Sequence, residues 1–130
     1  METQRAGNTR VFIVEDSAPI RSRLIEMIGQ VERADVVGEA DTAAEAIDSI
    51  RKLHPDLVVL DFRLLQGTAV DVLRALGREP GHPSFIVLTN HPSPQYRDIC
   101  FANGAAWFFD KSTDFEKVRD VVESFGRTTS

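Results

Sequence analysis

Five side chains of types that do chemistry stand at comparable places in this sequence. Glu15 and Asp16 follow VFIV, Asp61 follows LVVL, Thr89 follows FIVL, and Lys111 comes just past AAWFF. If the chain brings them together, three carboxylates share one space, and each raises the pKa of the others unless a cation sits among them. A hard divalent ion with oxygen ligands, most simply magnesium (Mg2+), resolves that conflict. A lysine and a threonine beside such an ion suit a phosphoryl group rather than a neutral ligand. Taken singly, Asp16 fits a helix cap, Thr89 a strand terminus and Lys111 a solvated charge. Asp61 is harder to explain that way, because a wholly apolar run ending in an acid needs a reason.

The elements decide whether the five meet. Short apolar runs at 11–14, 34–40, 56–61, 84–89 and 105–109 read as strands. Between them lie helical patterns. Ile20, Leu24, Ile25 and Ile28 recur near a 3.6 period and stop at Gly29. Thr42 and Glu45 form a capping-box pair ahead of TAAEAIDSIRKL, which His54-Pro55 breaks. Val70, Leu73 and Leu76 share a face after Gly67. Pro94 suits the first turn of a helix reaching Ala102, and residues 114–125 give a last amphipathic helix. Most of the strands are continuously apolar, so both their faces are covered, as in a parallel sheet between helices. The expected fold is α/β, a flavodoxin-like (βα)5 doubly wound parallel sheet of strand order 2-1-3-4-5. Ligands of such sheets bind beyond the carboxyl ends of the strands, where all five residues fall.

Composition narrows the function. A chain of 130 residues with 42% hydrophobic and 27% charged residues fits one soluble domain. The expected division is a loose tail over 1–9, a domain over 10–126 and a short tail over 127–130. Fifteen basic against 20 acidic residues, with no basic stripe, argue against direct nucleic-acid binding. One cysteine excludes an intrachain disulfide and a zinc cluster. No stretch approaches the ~20 apolar residues of a membrane span, and METQRAGNTR lacks a signal-peptide core, so the expected location is the cytoplasm.

The set EDS, LDFRL, LTN and FFDKS resembles the receiver domain of two-component response regulators, from about Val11 to Phe125. Identity, order, spacing and strand placement agree together. The resemblance implies that Asp61 is the phosphoacceptor. It implies that Asp16, Asp61 and the backbone carbonyl of Arg63 ligate magnesium, with Glu15 acting through a bound water. Thr89 and Lys111 would hold the phosphoryl oxygens, Phe108 would be the switch aromatic, and Arg63, Asn90 and His91 would tune the site. The implied donor is a histidine kinase or a histidine phosphotransfer protein. Three positions depart from the usual pattern: Leu65 stands where many receivers have proline, Asn90 where the residue is often small, and Ser112 where proline often follows the lysine.

Three functions compete. A phosphorylation-driven switch fits all the residues, and is no enzyme beyond its own phosphorylation and dephosphorylation. A receiver-like domain acting constitutively without phosphate is the alternative that Asn90 and Ser112 keep open. An aspartyl-phosphate hydrolase of the haloacid-dehalogenase type needs an acid two residues after the nucleophile, where this chain has Arg63. With about five residues after the last helix and no output domain, the chain is expected to act as a stand-alone receiver. Its output would be a homodimer or a downstream protein docked on the face of helix four, strand five and helix five. Tyr96, Trp107 and Phe108 would lie there among Arg97, Asp98, Lys117, Arg119 and Asp120. His54 and His82 are read as solvated, Cys100 as packed, and Trp107 and Phe109 as packing residues.

Overall fold

The apolar runs become strands and the periodic segments become helices in a computed structural model that describes residues 8–129, with side chains to Phe125. The elements alternate strictly. They are β1 (Thr9–Val14), α1 (Ala18–Gly29), β2 (Ala34–Ala40), α2 (Ala43–Leu53), β3 (Leu57–Asp61), α3 (Ala69–Leu76), β4 (Ser84–Thr89), α4 (Pro94–Ala102), β5 (Ala105–Asp110) and α5 (Lys117–Thr129). The five strands form one sheet in the order β2-β1-β3-β4-β5, with every pairing parallel, as the sequence leads one to expect.

Alternation along the strands sorts the core into two layers. Phe12, Val14, Val58, Leu60, Phe85 and Val87 point to the side covered by α2, α3 and α4. Val11, Ile13, Leu57, Val59, Ile86 and Leu88 point to the side covered by Leu24 and Ile28 of α1 and Val118 and Val122 of α5. Because β1, β3 and β4 are buried on both faces, their carboxyl ends are held rigidly side by side. That rigidity is what a site on the rim requires.

The boundaries differ from expectation at several points. Residues 1–7 of the expected tail lie outside the described residues, but Thr9 is buried and already in β1. At the other end α5 runs on to Thr129, past the expected limit at 126. It also starts at Lys117 rather than Asp114. The Asp114 carboxylate is engaged in the preceding loop, accepting from the Asp110 N–H at 3.1 Å, and it pairs with Lys117 at 3.2 Å. The capping box also moves. Thr42 accepts from the Glu45 N–H at 3.2 Å, but the Glu45 carboxylate reaches the Asp41 N–H at 3.5 Å, not that of Thr42. The reciprocal box closes instead on α3, where the Thr68 N–H donates to Asp71 Oδ2 at 2.9 Å. At the far end of α3, Gly77 packs against Gly104, whose φ is +109°; a side chain on Gly77 would collide with the Asn103 carbonyl.

Candidate functional site

The four strand ends that carry the chemistry converge on one cleft of about 310 Å³, lined by Glu15, Asp16, Asp61, Arg63, Thr89, Asn90, His91 and Lys111, with Ser17 and Ile20 at its edge. All of the expected site residues meet there except Phe108, which packs with Tyr96 and Ile99 against the α2–α4 layer. Glu15 is fully buried, Asp61 and Thr89 nearly so, and Asp16 is exposed toward the cleft.

Asp16 is free for this role because another residue caps α1. Ser17 is the cap, its hydroxyl accepting from the Ile20 N–H at 3.4 Å. Glu15 is held from two sides. Its Oε2 accepts from the Ser17 N–H at 3.1 Å, and its carbonyl accepts from the Arg21 guanidinium at 2.7 Å. Arg21 in turn pairs with Glu39 at 2.7 Å.

Lys111 is the internal counter-ion. Its Nζ lies 3.0 Å from Glu15 Oε1, 3.1 Å from Glu15 Oε2 and 3.1 Å from Asp61 Oδ1. One ammonium cannot balance three carboxylates. Burial, and then the neighbouring Glu15 charge, push the Asp61 pKa up to about 8, although Lys111 pulls the other way. Glu15 Oε1 sits near the ammonium but accepts no aligned hydrogen bond. Glu15, Asp16 and Asp61 can each offer an oxygen, all within 4.8 Å of one another, and they are the one such group among the described residues. A buried oxygen with no aligned hydrogen bond, a carboxyl resisting ionisation and a hard-oxygen donor set together fit a divalent cation such as magnesium.

The loops around the cleft are pinned. The Phe62 N–H donates to the Leu88 carbonyl at 3.1 Å, and the Leu65 N–H to the Asp41 carbonyl at 3.0 Å. Leu65, in the place where receivers often have proline, projects outward and is 66% exposed, so it does not intrude on the site. The Thr89 hydroxyl accepts from the His91 N–H at 3.0 Å, and the Thr89 carbonyl from the Lys111 N–H at 2.8 Å. The Lys111–Ser112 peptide is trans. In place of proline, Ser112 ties the turn through its N–H and hydroxyl, which donate to Asp110 Oδ1 at 2.8 and 2.7 Å. Those bonds hold the Asp110 carboxyl below its usual range.

The family model for the response regulator receiver domain matches residues 11–123. The chain belongs to that family. It is 29% identical over 117 residues to the DNA-binding transcriptional activator DevR/DosR of Mycobacterium tuberculosis, covering 90% of this chain and 54% of that protein. It is 34% identical over 92 residues to a protein-glutamate methylesterase/protein-glutamine glutaminase of Hydrogenovibrio crunogenus, covering 71% of this chain and 24% of that protein. The receiver thus spans about half or less of these relatives. Among solved structures, a LuxR-family two-component response regulator from Aurantimonas sp. SI85-9A1 superposes with a TM-score of 0.84 at 25% identity, covering 93% of this chain and 86% of that one. Receiver domains serve phosphorelay signal transduction and are mostly non-enzymatic, and the acidic cleft found here is compatible with magnesium and an aspartyl phosphate.

Other residues fall away from the site. Trp107 and Phe109 pack toward α1 and α5, while Tyr96 and Phe108 pack on the opposite side of the sheet. The three aromatics expected on one face therefore flank β5 from both sides and form no single cluster. His54 ends α2 in a left-handed conformation, and the His82 ring stacks on Phe85. The buried Cys100 thiol is pushed up to about 11 by desolvation, which leaves it protonated. No described helix is long and apolar enough to cross a membrane. Arg21 and Tyr96 are contributors that sequence patterns do not disclose.

Proposed function

We propose that the domain, working in the cytoplasm, accepts a phosphoryl group on Asp61 from a phosphohistidine of a histidine kinase or a histidine phosphotransfer protein. The observation that carries this reading is Asp61 itself: buried at the end of β3, 3.1 Å from the Lys111 ammonium, and crowded by two further carboxylates. Asp16, Asp61 and the Arg63 carbonyl would hold magnesium, with Glu15 reaching it through water. Glu15 suits the indirect role because both its oxygens already face Lys111. Magnesium, when bound, would supply the positive charge that lets Asp61 ionise and the phosphoryl oxygens approach.

An Asp61 carboxylate oxygen attacks phosphorus in line, an O–P bond forms, and the N–P bond of the donor breaks with its electron pair returning to the imidazole. Lys111 would then shift from Asp61 to a phosphoryl oxygen. Thr89 would exchange the His91 N–H for a role as donor to another. Its movement would open space toward which the half-buried Phe108 can turn. The change would reach a partner, or a second copy of the chain, through the surface of α4, β5 and α5. That surface carries exposed Arg97, Asp98, Lys117 and Asp120 and half-buried Arg119.

Incubation with magnesium and a small phosphodonor, followed by intact mass, tests the assignment. The parent should gain one phosphoryl group and Asp61→Asn none; undiminished labelling of that variant would sink it.

A further inference from the structure

Tyr96 touches both residues that follow Asp61. The Phe62 ring stacks on Tyr96 with centroids 4.3 Å apart and planes 14° apart. The next residue, Arg63, donates from its guanidinium to the Tyr96 hydroxyl at 3.4 Å. Tyr96 is itself fixed in the first turn of α4, where its N–H donates to the Ser93 hydroxyl at 3.1 Å. Thus a half-buried ring, anchored at one helix start, holds an exposed arginine that lines the cleft.

The charges around the cleft give that arginine a task. Lys111, the other cation lining it, is buried and engaged by Glu15 and Asp61. The remaining charged groups lining it are carboxylates, so the rim repels an incoming phosphate ester or acyl phosphate unless a cation counters it. Arg63 is exposed at that rim, and among the described residues its guanidinium has no carboxylate partner. A long, otherwise unrestrained side chain spends little time in any one orientation; a hydrogen bond from a planar guanidinium reduces that freedom.

We propose that Tyr96 is a positioning residue whose hydroxyl holds the Arg63 guanidinium over the cleft, where it draws an anionic phosphodonor toward Asp61. The proposal rests on the reading of Asp61 as phosphoacceptor and adds a determinant of donor uptake to it. Because Tyr96 belongs to α4, a partner that displaces the start of α4 would also alter uptake.

Acetyl phosphate is the probe. An O–P bond to Asp61 forms as the P–O bond to the acetyl group breaks, and acetate leaves as the anion without needing a proton. Initial labelling rates are measured by intact mass on the full chain with magnesium, at low donor concentration and across a series of ionic strengths. Tyr96→Phe keeps the ring and its stack on Phe62 but removes the hydroxyl. It should slow uptake about two- to fivefold at low salt, the range of one modest hydrogen bond. It should also flatten the fall of the rate with added salt, which a loss of packing alone would not do. Arg63→Ala should slow uptake at least as much, and adding Tyr96→Phe to it should change nothing further. A Tyr96→Phe rate and salt slope equal to the parent's, or effects of the two substitutions that multiply independently, overturns the role of Tyr96 while leaving Asp61 in place. A parent that takes no label overturns both.

Discussion

Asp61→Asn should stabilise the metal-free protein, by an amount that depends on pH in a defined way. The carboxyl titrates near 3.8 when unfolded and is pushed up to about 8 in the fold. At pH 7 the folded parent therefore carries a proton there that the unfolded chain has released. The penalty is absent below about pH 3.8, grows by about 1.4 kcal/mol per pH unit, and levels off above about pH 8. At pH 7 that sets a ceiling of about 4 kcal/mol; local relaxation lowers it, and a gain of about 2 kcal/mol or more is expected. The amide is nearly isosteric, and its oxygen can still accept from Lys111 Nζ, so no packing loss offsets the gain. Urea unfolding in a chelator, for parent and variant at pH 4, 5.5 and 7, reads the difference directly. It should rise steadily with pH from near zero. Magnesium should then narrow the gap, since an ion present at a hundred times its dissociation constant stabilises the folded parent by about 2.7 kcal/mol and the variant lacks one ligand. A difference that is flat with pH, or a variant less stable than the parent at pH 7, would refute the account of Asp61 as a carboxyl strained by burial and by Glu15.

Asp16→Ala removes an exposed carboxylate from the three-acid group and should weaken magnesium at least about tenfold in calorimetry; unchanged affinity would remove Asp16 from the ligand set. Lys111→Met keeps the stem's bulk but removes the ammonium that Glu15 and Asp61 share. It should cost about 3 kcal/mol in metal-free unfolding at pH 7, where Asp61 already holds its proton, and more above about pH 8, where the parent's Asp61 ionises beside Lys111; a loss that does not grow with alkali counts against the pairing. Phosphorylation should strengthen self-association or partner binding by about 1–3 kcal/mol, read by sedimentation or pull-down. Arg119→Glu should reduce that gain without affecting Asp61 labelling, and indifference of both assays to phosphorylation would favour a constitutive scaffold.

What could be read from sequence and what could not divides along physical lines. The parallel sheet was legible because strands buried on both faces must be apolar along their length, and VFIV, LVVL and FIVL are. The acids were legible for the complementary reason: an ionisable group ending such a run is unexplained by packing. The start of α5 was not, because Asp114 resembles a helix cap by type, and only the fold shows its carboxylate engaged by the Asp110 N–H. Thr68 and Asp71 escaped notice because the box signature looks for glutamate or glutamine three residues on. Arg21 and Tyr96 had no local signal at all. Tyr96 meets Arg63 across 33 residues of chain, through a crossover that only the tertiary structure closes.

The aromatic face is the instructive case, because its correction needed no structure. Trp107 and Phe108 are consecutive on β5, and successive side chains of a strand point to opposite faces of the sheet. Both cannot serve one surface. Phe108 lies with Tyr96 on the α2–α4 side and Trp107 on the α1–α5 side, with the sheet between them. If Phe108 follows Thr89, as proposed, the displaced volume is delivered to the layer that holds Tyr96 and Ile99. Trp107, on the other side of β5, belongs to the α1–α5 layer with Val118 and Val122. Movement of Phe108 would thus fall in the layer it shares with Tyr96 of α4, the residue whose ring lies on Phe62 and whose hydroxyl accepts from Arg63. The same residue stands where the signal would leave Asp61 and where its phosphodonor would arrive.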